Sequence, residues 1–403
     1  MLVQEIEDSF GLQVCKKQSL VIERGLGVWV WDTAGEKYLD FTAGWGVTCL
    51  GHAHPLIVET ISKQAALIIQ NPNSGFTYSP ARAELILELQ KVLPDSLTRM
   101  FFANSGAEAN DAALKLARKI TGRSKVVSLH GSFHGRTLAT LSVSGGPQNG
   151  ARYLPRVPGQ NFCLHNNGAE LGDHVDDSVA AVILELVQGE GGVRAMDASF
   201  VKQVRALCDR HGCLMIIDEV QTGFCRTGRF FATDYYDVQP DILTMGKGIA
   251  GGLAFAALAM SEHVASAVEL GDHGGTYCGN PLSCAVAAGV TRYLREHNIA
   301  AQVSGLGALA IEDLLELQQQ FPDMIRQVRG RGLMLALELH SDDMVWPLTD
   351  LCQQKGLLVT PTRNAVVRLL PSLLLTEREW SIGVQRLASA LSALQVHRAS
   401  LAA

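Results

Sequence analysis

The chain has 403 residues, of which 47% are apolar and 18% charged. That composition supports a sizeable buried core and excludes a disordered chain. The formal charge is −6 with no polybasic block, so neither a nucleic acid nor an anionic membrane is expected as a partner.

Met1 to Phe10 carries Glu5, Glu7 and Asp8, where a signal peptide needs a basic start and an apolar stretch. No apolar run reaches the ~20 residues that span a bilayer. A cytoplasmic protein is expected. The nine cysteines are scattered, with no Cys-x-x-Cys pair, and read as reduced packing residues. Val28-Trp29-Val30-Trp31, then Asp32 to Gly35, then Lys37 to Phe41 reads as strand, turn, strand. From there short apolar runs alternate with helical patterns. The runs are Met100–Ala103, Val126–Leu129, Ala181–Leu184, Leu214–Ile217, Ile242–Thr244 and Phe255–Leu258. Helices are predicted over stretches such as Glu108–Lys119 and Phe200–His211. Runs without a polar face belong in a largely parallel sheet under helices, so the fold class is α/β. The tail is different. Leu306, Leu309, Leu314, Leu315 and Leu317 make a helical stripe, Leu333–Leu339 and Leu357–Val359 read as strands, and Thr376-Glu377-Arg378-Glu379 is a capping box opening a last helix. The expected organisation is an N-terminal segment (1–55), a large domain (56–290) and a small α+β domain (291–403) that the N-terminal segment joins.

Three strand ends carry chemistry. Asn104-Ser105-Gly106-Ala107-Glu108-Ala109-Asn110 follows the first run. Ser105 and Glu108 have capping-box spacing, and a helix start with unobstructed N–H groups attracts a phosphate; the same residues also suit an ordinary capped helix. Leu214 to Ile217 ends in Asp218-Glu219, a carboxylate where α/β sheets bind ligands, or a turn cap. Met245-Gly246-Lys247-Gly248 puts a lysine between glycines after a buried strand. Desolvation there would make it a nucleophile toward carbonyls; otherwise it is a turn lysine. Gly246 to Gly251 also matches Gly-x-Gly-x-x-Gly, the basis of a nucleotide-binding alternative, but no convincing acid follows about 20 residues on. His52 and His54 lack the further ligands of a zinc site, so no metal is expected. His130 and His134 read as loop residues. A phosphate cradle, a carboxylate and a desolvated lysine together are what pyridoxal phosphate requires.

On these motifs, with Tyr38-Leu39-Asp40-Phe41, Gly51-His52-Ala53-His54-Pro55 and the Asp218-Glu219-Val220-Gln221-Thr222-Gly223 run, the chain resembles the class III aminotransferases of the acetylornithine and ornithine type. The resemblance implies a fold-type I pyridoxal-phosphate enzyme. It implies Lys247 as the Schiff-base lysine and proton carrier, and Asp218 as partner of the pyridinium nitrogen. Val220 is expected on the ring, Gln221 at its phenolic oxygen, Phe133 stacked on the opposite face, and Ser105, Gly106 and Ala107 around the phosphate. Thr276 is expected to bind the phosphate of the neighbouring subunit, which implies a homodimer with shared active sites. Arg136 and Arg368 match arginines that hold substrate carboxylates. Glu185 matches a glutamate that covers Arg368 in one half-reaction, with Glu190 behind it. Trp45 and Gly275 stand at substrate-side positions and depart from the family, as does Leu186, which replaces a proline. The implied reaction moves the ω- or δ-amino group of N-acetylornithine, or a close analogue, to 2-oxoglutarate, as in arginine biosynthesis. Alternatives are an ornithine, γ-aminobutyrate or diamine aminotransferase, and an aminomutase or decarboxylase using the same cofactor.

Overall fold

Apolar runs with no polar face need cover on both sides, and the middle of the chain builds its sheet from them. A computed structural model describes residues 2–145 and 153–402. The large sheet contains β1 (Leu97–Ala103), β2 (Lys125–Leu129), β3 (Gln160–Cys163), β4 (Val179–Leu184), β5 (Leu214–Asp218), β6 (Ile242–Met245) and β7 (Ala256–Ser261). Their order is β1-β7-β6-β5-β4-β2-β3. Pairings from β6 through β3 are parallel, while β7 runs antiparallel between β6 and β1. Every residue of β4, β5 and β6 is buried, which matches their unbroken apolar character. Strand β3 is the one the apolar runs do not announce. It begins Gln160-Asn161 and sits half-buried at the sheet edge.

Register decides which residues share an edge. Ile217 pairs with Leu184, and Asp218 with Thr244. Asp218, Glu185 and the Gly246-Lys247 step therefore leave the sheet side by side. Ala103, the last residue of β1, pairs with Ala256, the first of β7, so Asn104 and Phe255 reach the same edge. Open parallel sheets bind ligands at this edge.

The two chain ends build the smaller α+β domain together. Strands Ile22–Leu26, Trp29–Asp32 and Lys37–Asp40 pair in antiparallel fashion, and Leu357–Leu358 adds in parallel to the last of them. Ile325–Arg331, Met334–Leu339, Val366–Leu369 and Thr360–Pro361 form a separate antiparallel sheet. The boundary expected at 290 needs correction, because it cuts the helix Pro281–Glu296. Val286, Val290 and Leu294 of that helix pack in one continuous core on both sides of the cut. The left-handed backbone of Asn298 ends this stretch and separates the helix from Ile299–Gln320. Leu315 of the expected stripe is exposed.

The core joins β6 (Leu243, Met245) to Phe41, Leu335 and Trp380. Both arms of the expected capping box are present. Glu379 N–H donates to Thr376 Oγ1 at 3.2 Å, and Thr376 N–H donates to Glu379 Oε2 at 3.0 Å. The helix Glu377–Ala402 so begun carries Trp380 into the core. Its ring stacks on Phe41 at 5.4 Å, and its Nε1 donates to Asp313 Oδ2 at 2.7 Å. Trp380→Ala should therefore lower the unfolding free energy by about 3–5 kcal/mol in urea denaturation. A loss below about 1 kcal/mol would show that the terminal helix is anchored elsewhere.

Candidate active site

Helix α1 (Gly106–Thr121) begins just beyond β1. Ser105 is extended, and its Oγ accepts Glu108 N–H at 3.2 Å. The second arm of this cap differs from the expected box, since Glu108 Oε2 accepts from Asn104 N–H at 2.9 Å and not from Ser105. Among the described residues no acceptor meets the N–H of Gly106 or Ala107, which leaves an anion site at the positive end of the helix. Glycine is required at 106, because a Cβ there would lie 2.6 Å from Val220 Cγ1.

Asp218 is buried, and burial opposes its charge. Asn110 Nδ2 donates to its Oδ2 at 2.7 Å, His134 Nδ1 lies 2.8 Å from the same oxygen, and Val220 N–H donates to Oδ1 at 3.0 Å. Thr244 donates to Asn110 Oδ1 at 2.6 Å, which turns the amide nitrogen toward Asp218. His134 is thus no mere loop residue, and Asn110 has a role that its place in the helix-start motif did not declare. The signal for Asn110 was its position one helical turn after Gly106, on the same face.

Lys247 follows β6 in the left-handed backbone region, with φ +45°, while Gly246 before it is extended. Such a conformation costs roughly 1–2 kcal/mol for a residue with a side chain. Burial lowers its ammonium below the usual lysine range, and the Arg368 charge lowers it further; Glu190, Asp218 and Glu185 oppose this. Among the described residues its Nζ has no hydrogen-bond or ion-pair partner.

Arg368, on the strand Val366–Leu369, is only 1% exposed. Its Nη1 meets Glu190 Oε1 at 2.7 Å and donates to Gln221 Oε1 at 3.3 Å. The expected pairing with Glu185 is therefore corrected. Glu185 Oε2 accepts Phe133 N–H at 3.0 Å and Oε1 accepts Gly189 N–H at 3.1 Å, so both oxygens are engaged elsewhere. Glu190, five residues on, is across the turn and faces the guanidinium. Burial would raise its carboxyl, but Arg368, Lys247 and Arg363 outweigh burial and hold it low. Glu185 makes no ion pair among the described residues, and burial pushes it up to about 7, with His134 opposing and Asp218 adding.

Ser105, Gly106, Ala107, Asp218, Val220 and Lys247 line one cavity of about 470 Å³, as do Phe133, Arg136, Glu185 and Gln221. Arg368 stands just behind Gln221. Trp45 and the pair Gly275-Thr276 are not brought to this cavity by the single chain. Trp45 lies in a run of left-handed residues, Ala43 to Gly46, that turns it outward; it is 60% exposed and lines another cavity with Trp346. Gly275 and Thr276 line a third cavity, of about 830 Å³, beside Arg82 and Phe102. Leu186, in place of proline, is buried, and its carbonyl accepts Met196 N–H at 2.9 Å, so the strand end is pinned.

Residues 13–391 match the protein family described as Aminotransferase class-III. The chain belongs to the class III aminotransferases. It is 38% identical to the acetylornithine aminotransferase of Methanopyrus kandleri, over 98% of this chain and 100% of that one. It is also 38% identical to the [LysW]-aminoadipate semialdehyde transaminase of Deinococcus radiodurans, over 93% of this chain and 86% of that one. The ornithine aminotransferase of Toxoplasma gondii, crystallised with partial occupancy of PLP at its active site, superposes with a TM-score of 0.92. That match covers 98% of this chain and 95% of the other at 30% identity. This aminotransferase is a pyridoxal-phosphate enzyme of the fold-type I class. Its residues fit the cofactor on their own terms. The free N–H groups at the start of α1 suit a phosphate, the well-donated Asp218 suits a protonated ring nitrogen, and Lys247 has a lowered, unengaged amine. No group of three or more His, Cys, Asp or Glu among the described residues is arranged to hold a metal ion. No helix among them is long and apolar enough to cross a membrane.

Gly106→Ala should weaken pyridoxal-phosphate retention by at least about tenfold, because Val220 must shift from the helix start to admit the methyl group. Absorbance titration of the dialysed protein measures this. Unchanged affinity would mean that the cofactor phosphate binds elsewhere.

Proposed function

We propose that this enzyme takes the ω- or δ-amino group of an ornithine-type donor, with N-acetylornithine the first candidate, and passes it to 2-oxoglutarate, which leaves as glutamate. Pyridoxal phosphate, when bound, supplies the electron sink that makes the substrate carbon acidic. The chain's own groups do the rest. Lys247 moves the proton at the reacting carbon, and burial with the Arg368 charge beside it lowers its affinity for protons. Asp218 would keep a proton on the ring nitrogen, Val220 and Phe133 would hold the two ring faces, and Gln221 would reach the phenolic oxygen.

The observation that carries the reading is the Arg368–Glu190 pair. A guanidinium 1% exposed needs a carboxylate partner, and one side chain supplies it at 2.7 Å. When Glu190 covers Arg368, the cavity offers no free cation there and accepts the amine end of the donor. When a 2-oxo acid arrives, its carboxylate replaces that of Glu190 in the same geometry. Arg136 is exposed, lines the cavity and makes no ion pair among the described residues, so it is suited to the donor's own carboxylate. The acetylornithine enzyme among the relatives favours that donor. With it, the step belongs to arginine biosynthesis.

The proposal includes a homodimer. Thr276 lines an open cavity away from its own Lys247, with Phe76 94% exposed in the same wall and the exposed Tyr277 beside it. A second copy covering this face would bring Thr276 to the partner's phosphate and bury the aromatic surface. The nine cysteines are free thiols, as a cytoplasmic enzyme keeps them.

A panel of amino donors assayed with 2-oxoglutarate tests the substrate assignment. N-acetylornithine is expected to give the highest kcat/KM, with one glutamate formed per donor consumed. A better rate with ornithine, γ-aminobutyrate, a diamine or an aminoadipate-semialdehyde-type substrate would replace the donor. Turnover without consumption of 2-oxoglutarate would point to an aminomutase or decarboxylase. Arg368→Ala should raise the KM for 2-oxoglutarate roughly 10- to 150-fold, the equivalent of one charge-assisted contact. An unchanged KM would leave Arg368 as a structural ion-pair partner.

A further inference from the structure

Glu185 is a buried carboxyl group in no ion pair among the described residues, and both its oxygens are spent on backbone. The two N–H groups belong to different loops. Phe133 lies in the loop after β2, immediately before His134, whose Nδ1 meets Asp218 at 2.8 Å. Gly189 lies in the loop after β4, immediately before Glu190, whose carboxylate meets Arg368 at 2.7 Å. The backbone at Gly189 also leans on Gln221; a Cβ there would come within 2.1 Å of Gln221 Oε1, the atom that accepts from Arg368. On the far side of the same seam, Gln188 Nε2 donates to His130 O at 2.9 Å. The loops are therefore tied twice, and the tie inside the cavity is Glu185.

We propose that Glu185 is a positioning residue: its carboxylate fastens the Phe133 backbone to the Gly189 backbone and so fixes where Glu190 meets Arg368. A carboxylate suits this place because both oxygens accept hydrogen bonds, and with burial pushing the carboxyl up to about 7 that accepting form prevails on the alkaline side of neutral. Glutamine would set an NH2 group against one of two N–H donors. Aspartate keeps the charge but is one methylene short, and spans the gap between the loops on one side only. Losing one strut slackens the Glu190 turn without removing Glu190. The gating part of this inference rests on the reading of Arg368 and Glu190 given above; the tie itself does not.

Two measurements on the cofactor-loaded enzyme test it. The first is backbone amide exchange over residues 131–135 and 187–191. Glu185→Asp should accelerate exchange in one of these segments by at least about tenfold, and Glu185→Gln likewise, since one N–H loses its acceptor. Unchanged exchange in both segments would overturn the tie. The second is the KM for 2-oxoglutarate in two backgrounds. In the wild-type background Glu185→Asp should lower that KM at least about threefold, because a loosened Glu190 covers Arg368 less well. In the Glu190→Gln background the same substitution should change it by less than about 1.5-fold, as expected of residues acting through one another. An equal change in both backgrounds would mean that Glu185 acts on the acceptor site directly, and would overturn the role assigned to it. Should Arg368→Ala leave the KM of the wild type untouched, the gate reading fails by itself, and amide exchange still decides the tie.

Discussion

Asp218 is a carboxyl group buried at the sheet edge, and the site depends on the groups that meet its two oxygens. Asn110, His134 and the Val220 N–H come from α1, from the loop after β2 and from the turn after β5. Each donor belongs to an element with another task at the edge. Helix α1 opens with the anion-binding N–H groups, the β2 loop carries Phe133, and the β5 turn carries Val220 and Gln221. Satisfying one carboxylate therefore registers three separate segments against each other. Asn110 extends that registry to β6 through Thr244, one strand residue from Met245 and close to Lys247.

The charges of the cavity form a chain and not a set of isolated pairs. Arg368 depresses the Lys247 ammonium, and Glu190 counteracts it. Covering Arg368 with Glu190 therefore also softens the pressure on Lys247. If Glu190 swings away for an incoming carboxylate, the substrate's own anion takes its place beside the arginine. The electrostatic setting of the proton carrier is then conserved between the two half-reactions. A neutral acceptor could not do this, because it would leave the arginine bare in a buried site. In the proposed gate, Glu190, Arg368 and Lys247 act on one another through their charges.

What the sequence made legible is local. Asp218, Lys247 and the Ser105-Gly106-Ala107 start each follow an unbroken apolar run, and such runs announce both a buried strand and the edge where it ends. Register then brings the ends together without further information, which is why the α/β sheet, and the meeting of Ser105, Asp218 and Lys247 at one cavity, could be read in advance. Long-range pairings were not legible. His134 reaches Asp218 across 84 residues, and nothing near His134 marks it as buried. The choice between Glu185 and Glu190 turned on which side of a tight loop each faces, and spacing alone does not decide that. Where Trp45 points was not legible either, because four successive left-handed residues, Ala43 to Gly46, turn it outward from its own chain's cavity.

That left-handed run has a visible cause. Asp40 Oδ1 accepts from Thr42 N–H at 2.8 Å, from the Thr42 hydroxyl at 2.7 Å and from Ala43 N–H at 3.2 Å, and its Oδ2 meets His52 at 2.9 Å. A buried carboxylate again gathers donors, here to hold a conformation that costs roughly 1–2 kcal/mol for each residue bearing a side chain. The strain sets an exposed indole on the outside and Val47 on the inside, against the Lys247 cavity. Strain maintained so deliberately belongs at functional sites. In the proposed homodimer, Trp45 is then surface that a second copy or a substrate can use. Within one chain the cavity holds Lys247, Asp218 and the start of α1, while Thr276 and Trp45 line other cavities.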